Sequence, residues 1–131
     1  MADTVHFDLV SPERQLASAT ATEVQLPGIE GDMTAMPDHA PLITSLRPGF
    51  VRIAGPDGAH DYAVTGGFAE ITGTSVTVLA EQAFPRESAS RGAIETALGE
   101  AREKLAAAPA EHRDAVETFV ADLVALLDAM D

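Results

Sequence analysis

The hydrophobic period of this chain changes once, at Phe84-Pro85-Arg86, and that change constrains the fold more than any other feature. Before it, apolar and polar residues alternate in short runs. Val5, Phe7 and Leu9 stand against His6 and Asp8, the two-residue period of a half-buried strand. After it, Ala93, Ala97, Ala101 and Leu105, with Ile94 and Leu98 beside them, recur at helical spacing. The pattern predicts an α+β chain in two parts, a β-domain over residues 1–84 and a helical domain over 87–131.

At least seven strands are expected in the first part, at 5–10, 21–26, 42–46, 49–54, 61–65, 68–72 and 75–80, all short and rich in β-branched residues. Gly55-Pro56-Asp57-Gly58 reads as a hairpin turn, and Gly66-Gly67 and Thr72-Gly73-Thr74 mark further reversals. Short strands spaced by turns in this way predict an N-terminal β-sandwich or flattened barrel. In the second part Ser88 or Ser90 is placed to cap a first helix, which Pro109 ends. A second helix carries Val116, Phe119, Val120, Leu123, Leu127 and Met130 on one stripe. So short a connection makes the pair an antiparallel two-helix hairpin.

The 131 residues suffice for one core, since a domain of that length buries roughly two thirds of the surface its unfolded chain exposes. Trp is absent and aromatics make up 5%, so the core must rest on Val, Ile, Leu and Ala. With no Cys, thiol nucleophiles, thiolate metal sites and disulfides are excluded. The N-terminus has no basic region followed by a long apolar run, and no run approaches the ~20 residues that span a bilayer. No targeting segment and no transmembrane helix are expected. The formal net charge is −13 and the pI about 4.4. Such a chain repels phosphate backbones and anionic headgroups, which argues against nucleic-acid binding and direct lipid insertion and in favour of protein partners with basic patches.

Chemistry, if present, would centre on EGDMTAMPDHAPLITSLRPG, residues 30–49. An acid–base reading pairs Asp38 with His39, but adjacent residues in extended structure point apart, and no Cys partner or G-x-S-x-G elbow exists. A metal reading recruits Glu30, Asp32, Asp38 and His39, yet the four histidines (His6, His39, His60, His112) share no ligand spacing. Phosphate-cradling glycine motifs are absent as well. No catalytic residue, metal or cofactor is therefore expected. The simplest role for His39 is to order its own loop by hydrogen bonds to nearby backbone, helped by Pro37, Pro41 and Pro48.

The stretch LPGIEGDMTAMPDHAPLITSLRPGFVRI, residues 26–53, resembles the signature of the epsilon subunit of bacterial F-type ATP synthases. VHFDLVSPERQLASATATEVQLPG before it and YAVTGGFAEITGTSVTVLAEQAF after it extend the similarity over residues 4–84. The resemblance, shared with the mitochondrial delta homologue, implies a β-sandwich followed by two helices and no catalysis of its own. It implies a place on the rotating central stalk of a proton-translocating ATP synthase, at the cytoplasmic face of the bacterial inner membrane. There the subunit couples gamma to the c-ring, below the alpha and beta subunits of the catalytic head. By position in the motif, Glu30 and Asp32 would face the c-ring, whose polar loops carry a basic residue, while Ser11, His39 and Thr44 would face gamma.

Two departures from the family pattern bear on regulation. Many members carry an ATP-binding I/L-D-x-x-R-A at the first helix; here ASRGAI, residues 89–94, puts Ser90 at the Asp position and Ala93 at the Arg position. No shift of register restores an acid followed by Arg three residues on, so no nucleotide binding is expected. In inhibitory members the hairpin meets an acidic segment of beta with basic residues, whereas residues 111–131 here carry six acids and Arg113 alone. Like charges would meet, so weak or no inhibition of hydrolysis is expected, with the hairpin folded against the β-domain. The competing reading, from another class, is a free-standing β-sandwich module whose acidic hairpin recruits a basic protein.

Overall fold

In a computed structural model of the chain, which describes residues 3–87 and 90–130, ten strands precede two helices. The strands are β1 (Val5–Val10), β2 (Gln15–Ala21), β3 (Glu23–Gly28), β4 (Gly31–Ala35), β5 (Leu42–Leu46), β6 (Gly49–Gly55), β7 (Gly58–Val64), β8 (Gly67–Ile71), β9 (Ser75–Ala80) and β10 (Ala83–Pro85). The helices are α1 (Arg91–Ala107) and α2 (Ala110–Ala129). The strands form one sheet in the order β10-β7-β6-β3-β5-β8-β9-β1-β2, with β4 on the far side of β3. All neighbours are antiparallel except β1 and β9. The sheet folds over at β3–β5, and β2 comes back beside β6, where the Thr22 amide donates to the Ala54 carbonyl at 2.7 Å. A nearly closed, flattened barrel results, as expected of the sequence.

Alternation is what fills it. Val5, Phe7 and Leu9 of β1, Val24 and Leu26 of β3, Val51 and Ile53 of β6, and Val76 and Val78 of β9 all point inward and are buried. Three strands were not legible: β2 (QLASATA), β4 (GDMTA) and β10 (AFP). Each is poor in large apolar side chains and is ordered by pairing with a neighbour. The single strand expected over 21–26 is divided at Thr22, where the chain leaves β2 and enters β3.

Ala108 is extended before Pro109, as proline requires of its predecessor, and Pro109 opens α2 directly, so only two residues join the helices. Of the two proposed caps, Ser88 lies outside the described residues. Ser90 occupies the N-cap position of α1 without a capping bond: its backbone is already helical, at φ −84° and ψ −13°, whereas a capping serine is extended. Ile94, Leu98 and Ala101 of α1 meet Leu123 and Leu126 of α2 and Ala63 of the sheet in a second, smaller core. Leu126, absent from the expected stripe, is buried because α2 packs on β6 as well as on α1. Burying a leucine contributes about 1.5–3 kcal/mol, so the sheet gains a real anchor from it.

Candidate functional site

Glu30 and Asp32 lie together on the β3–β4 hairpin. Gly28 pairs with Gly31, leaving Ile29 and Glu30 as a two-residue tip. Both glycines are required: Gly31 has φ +145°, and a Cβ on Gly28 would stand 2.7 Å from the Gly31 carbonyl oxygen. Glu30 is exposed. Asp32 is exposed too, but its carboxylate accepts from Arg47, whose guanidinium also donates to the Gly28 carbonyl and so braces the base of the tip. Arg47 was not singled out from the sequence. Its role arises from β3 running beside β5, with the Arg47 amide donating to Pro27 at 3.0 Å.

The same pairing places Ile29, whose amide donates to Ser45 at 2.9 Å, opposite Ser45. Ser45 stands opposite Phe68 on β8, and Phe68 opposite Leu79 on β9. Residues facing each other across a ladder share one side of the sheet. Ile29, Ser45, Phe68 and Leu79 therefore form a row across the outside of the barrel, with Ile43 next to it on β5. The apolar members are 59%, 55%, 52% and 72% exposed for Ile29, Phe68, Leu79 and Ile43, an uncommon concentration for an isolated surface. No sequence signal identified them: Phe68 and Leu79 sit at outward positions of alternating strands, and Ile29 lies at a hairpin tip, next to Ser45 only through the pairing of β3 with β5.

Ser11, His39 and Thr44 are not brought together; they surround this row. Ser11 follows Val10, the partner of Leu79, and with Pro12, Phe68 and Leu79 lines a shallow depression of about 340 Å³. At the opposite end of β8 and β9, the Asp38 amide donates to Gly73 at 2.8 Å and the His39 amide to Met36 at 3.2 Å. The His39 ring donates from Nδ1 to the Ala40 carbonyl at 2.6 Å, so it orders its own loop as expected. Asp38 adopts φ +66°, a left-handed conformation that aspartate tolerates better than most residues. Thr44 stands opposite buried Ala69 on the inner side of β5 and is half-buried, its hydroxyl directed to the Ser45 carbonyl. Among the described residues no group of three or more His, Asp and Glu is placed to hold a metal ion.

A second concavity, a groove of about 470 Å³, separates β3 and β6 from α2. Arg47, Arg52 and Arg86 line it, but each is already committed: Arg47 to Asp32, and Arg52 and Arg86 to Asp61. Arg52 holds Asp61 at 2.7 and 3.0 Å and Arg86 at 3.0 Å. The hydrogen bonds from Arg52 depress the Asp61 carboxyl below the usual aspartate range; partial burial opposes this and Arg86 adds to it. In return the Asp61 carboxylate raises the Arg52 guanidinium. Asp122 of α2 also lines the groove, so with Asp32 and Asp61 three carboxylates match the three arginines and the groove offers no net charge to an anion. Ser90, buried at the start of α1, and half-buried Ala93 bring no charge to the other face of the hairpin.

Residues 4–86 match the family model of the ATP synthase delta/epsilon chain β-sandwich domain. The ATP synthase epsilon chain of Cereibacter sphaeroides is 55% identical over 126 residues, covering 96% of each chain. That of a Jannaschia species is 50% identical over 127 residues, covering 97% of this chain and 96% of its own. Among solved structures, a chain of the Euglena gracilis mitochondrial ATP synthase assembly of OSCP, F1 and c-ring superposes with a TM-score of 0.74. It is 22% identical and covers 98% of this chain and 82% of its own, a likeness of fold. With its β-domain matched throughout and relatives half identical along nearly its whole length, the chain belongs to the ATP synthase delta/epsilon family.

Proposed function

We propose that the chain is a coupling bracket of an F-type ATP synthase, fixing the gamma subunit to the c-ring so that torque passes between membrane and catalytic head. Membership of the family makes it a non-catalytic subunit of that complex. The observation that carries the finer reading is the exposed row from Ile29 to Leu79, which runs without a break from the acidic hairpin tip onto the broad face of β5, β8 and β9. A bracket needs two adjoining surfaces, one for each partner. An acidic tip suits polar loops bearing a basic residue, and a rigid apolar face suits a shaft that must not slip.

In this reading Glu30 and Asp32 meet the c-ring. Because Asp32 is balanced by Arg47, Glu30 carries most of the uncompensated charge. The apolar row meets gamma, Ser11 and His39 flank it at the two ends of the face, and Thr44 supports it from beneath. The division of labour follows the chain, with residues 1–84 as the coupling unit and 87–131 as a folded, weakly inhibitory or non-inhibitory hairpin that does not bind ATP. The protein would sit at the cytoplasmic face of the inner membrane through its complex; among the described residues no helix is long and apolar enough to cross a membrane.

The test is affinity isolation of the tagged chain from native membranes, with Glu30→Cys as the only thiol of the chain for cross-linking. Recovery of gamma and the catalytic subunits, with a cross-link to the ring subunit, is the expected result. Recovery of a soluble partner without ring or gamma would favour the free-standing binding module instead.

A further inference from the structure

The last turn of α2 contains no basic residue and ends beside Asp128, although the carbonyl end of a helix is a partial negative charge that favours cations. The missing cations come from elsewhere in the chain. Arg86, just after β10, donates from Nη2 to the Ala129 carbonyl at 2.7 Å, and Arg91 of α1 donates to the Leu127 carbonyl at 3.2 Å. Arg86 also donates from Nη1 to Asp61 on β7 at 3.0 Å and lies 4.2 Å over the Phe50 ring of β6. Its guanidinium thus touches β6, β7 and the end of α2 at once, and Asp61 is held in place from its other side by Arg52.

We propose that Arg86 is an electrostatic clasp that holds the helical hairpin on the β-domain, with Asp61 and Arg52 as its fixed mount. The hairpin's apolar contact lies in the smaller core around Ile94, Leu98, Leu123 and Leu126, while an open groove separates β3 and β6 from α2 on this side, where Arg86 links the sheet to the helix end by polar contacts. The clasp supplies direction: Asp61 Oδ2, held in place by Arg52, orients the Arg86 guanidinium through Nη1, and Nη2 reaches the Ala129 carbonyl only when the helix end is seated. A partner or condition that takes Arg86 from Ala129 would release the end of α2 while leaving the barrel core untouched. The inference concerns the hairpin's attachment within this chain. It stands or falls independently of the coupling role, since it requires neither gamma nor the ring.

The full-length protein tests it directly. Spin labels on Thr34→Cys and Ala125→Cys, both exposed and both lining the groove, report the distance between β4 and α2 by pulsed electron resonance. Hydrogen exchange reports the last turn of α2. Arg86→Met is expected to broaden the distance distribution and to raise exchange at that turn about tenfold, the effect of a charge lost from a partly buried helix end. Arg86→Lys should restore charge but only part of the register, and Asp61→Asn should loosen α2 in the same direction by a smaller factor. Unchanged distances and exchange in Arg86→Met would overturn the proposal. Should that variant fail to fold, Asp61→Asn and a salt titration of the parent protein decide: no loosening in either overturns it, and loosening in both supports it.

Discussion

Phe68 of β8 and Leu79 of β9 stand directly opposite each other on the outer face of the barrel, and both are more than half exposed. Their neighbours Ala69, Val78 and Ala80 are buried, so the pair is exposed by strand alternation and not by disorder of the sheet. A polar substitution therefore removes contact area for a partner without touching the core. Phe68→Ser is expected to weaken binding to gamma by about 1.4–2.8 kcal/mol, a ten- to hundredfold loss, measured by calorimetry with the purified subunit. The thermal midpoint of the isolated chain should stay within about 2 °C of the parent. Undiminished binding would remove Phe68 from the interface.

Glycine at position 67 is needed for a different reason. It has φ +135°, and a Cβ there would stand 2.1 Å from the Leu79 carbonyl oxygen. Gly67→Ala is expected to destabilise the fold by about 2–4 kcal/mol in denaturant titration. Gly99, inside α1 with nothing near its absent Cβ, is the control: Gly99→Ala should gain about 0.5–1 kcal/mol from helix propensity. Equal effects at the two positions would contradict the close approach of β8 and β9.

Asp61 makes stability depend on pH with a definite sign. Its carboxyl is depressed in the folded chain, chiefly by the Arg52 hydrogen bonds, so below the usual aspartate value of about 3.9 the unfolded chain takes up the proton first. The contribution is complete at neutral pH and is lost as pH falls through the depressed folded value. The stability difference between the parent and Asp61→Asn should shrink from about pH 6 to about pH 3 in thermal melts. A difference that stays constant with pH would mean that the paired carboxylate adds nothing.

The charge of the hairpin leads to a kinetic expectation. Glu111, Asp114, Glu117, Asp122 and Asp128 give α2 an acidic character, which under the proposed function would repel an acidic segment of the head. Removing residues 87–131 should raise ATP hydrolysis by the reconstituted complex less than about threefold, an interaction under ~1 kcal/mol. A many-fold rise would make the hairpin a strong brake despite its charge.

The degenerate helix motif leads to the last expectation. With Ser90 and Ala93 where an acid and an arginine would be needed, titration calorimetry of the isolated chain with ATP should give no measurable heat. Micromolar affinity would show that other residues had taken over the site.

The local patterns were legible because they depend on neighbours two to four residues apart. Alternation in Val5–Phe7–Leu9 marked a strand, alanine and leucine spacing marked α1, and Pro109 marked the break between helices. Pro37, Pro41 and Pro48 marked an ordered loop around His39, and His39 bonds to the backbone of the adjacent residue. Three things depended on closure of the barrel. Strands β2, β4 and β10 carry too little apolar volume to announce themselves and exist because a partner strand completes their hydrogen bonds. The row Ile29–Ser45–Phe68–Leu79 draws one residue from each of four segments, so only the register of the sheet could assemble it. The same holds for Arg86, whose partners lie 25 residues before it and 43 after it. Periodicity records which side of an element is apolar; which elements then meet, and which polar groups they bring within reach of one another, is decided by packing across the whole chain.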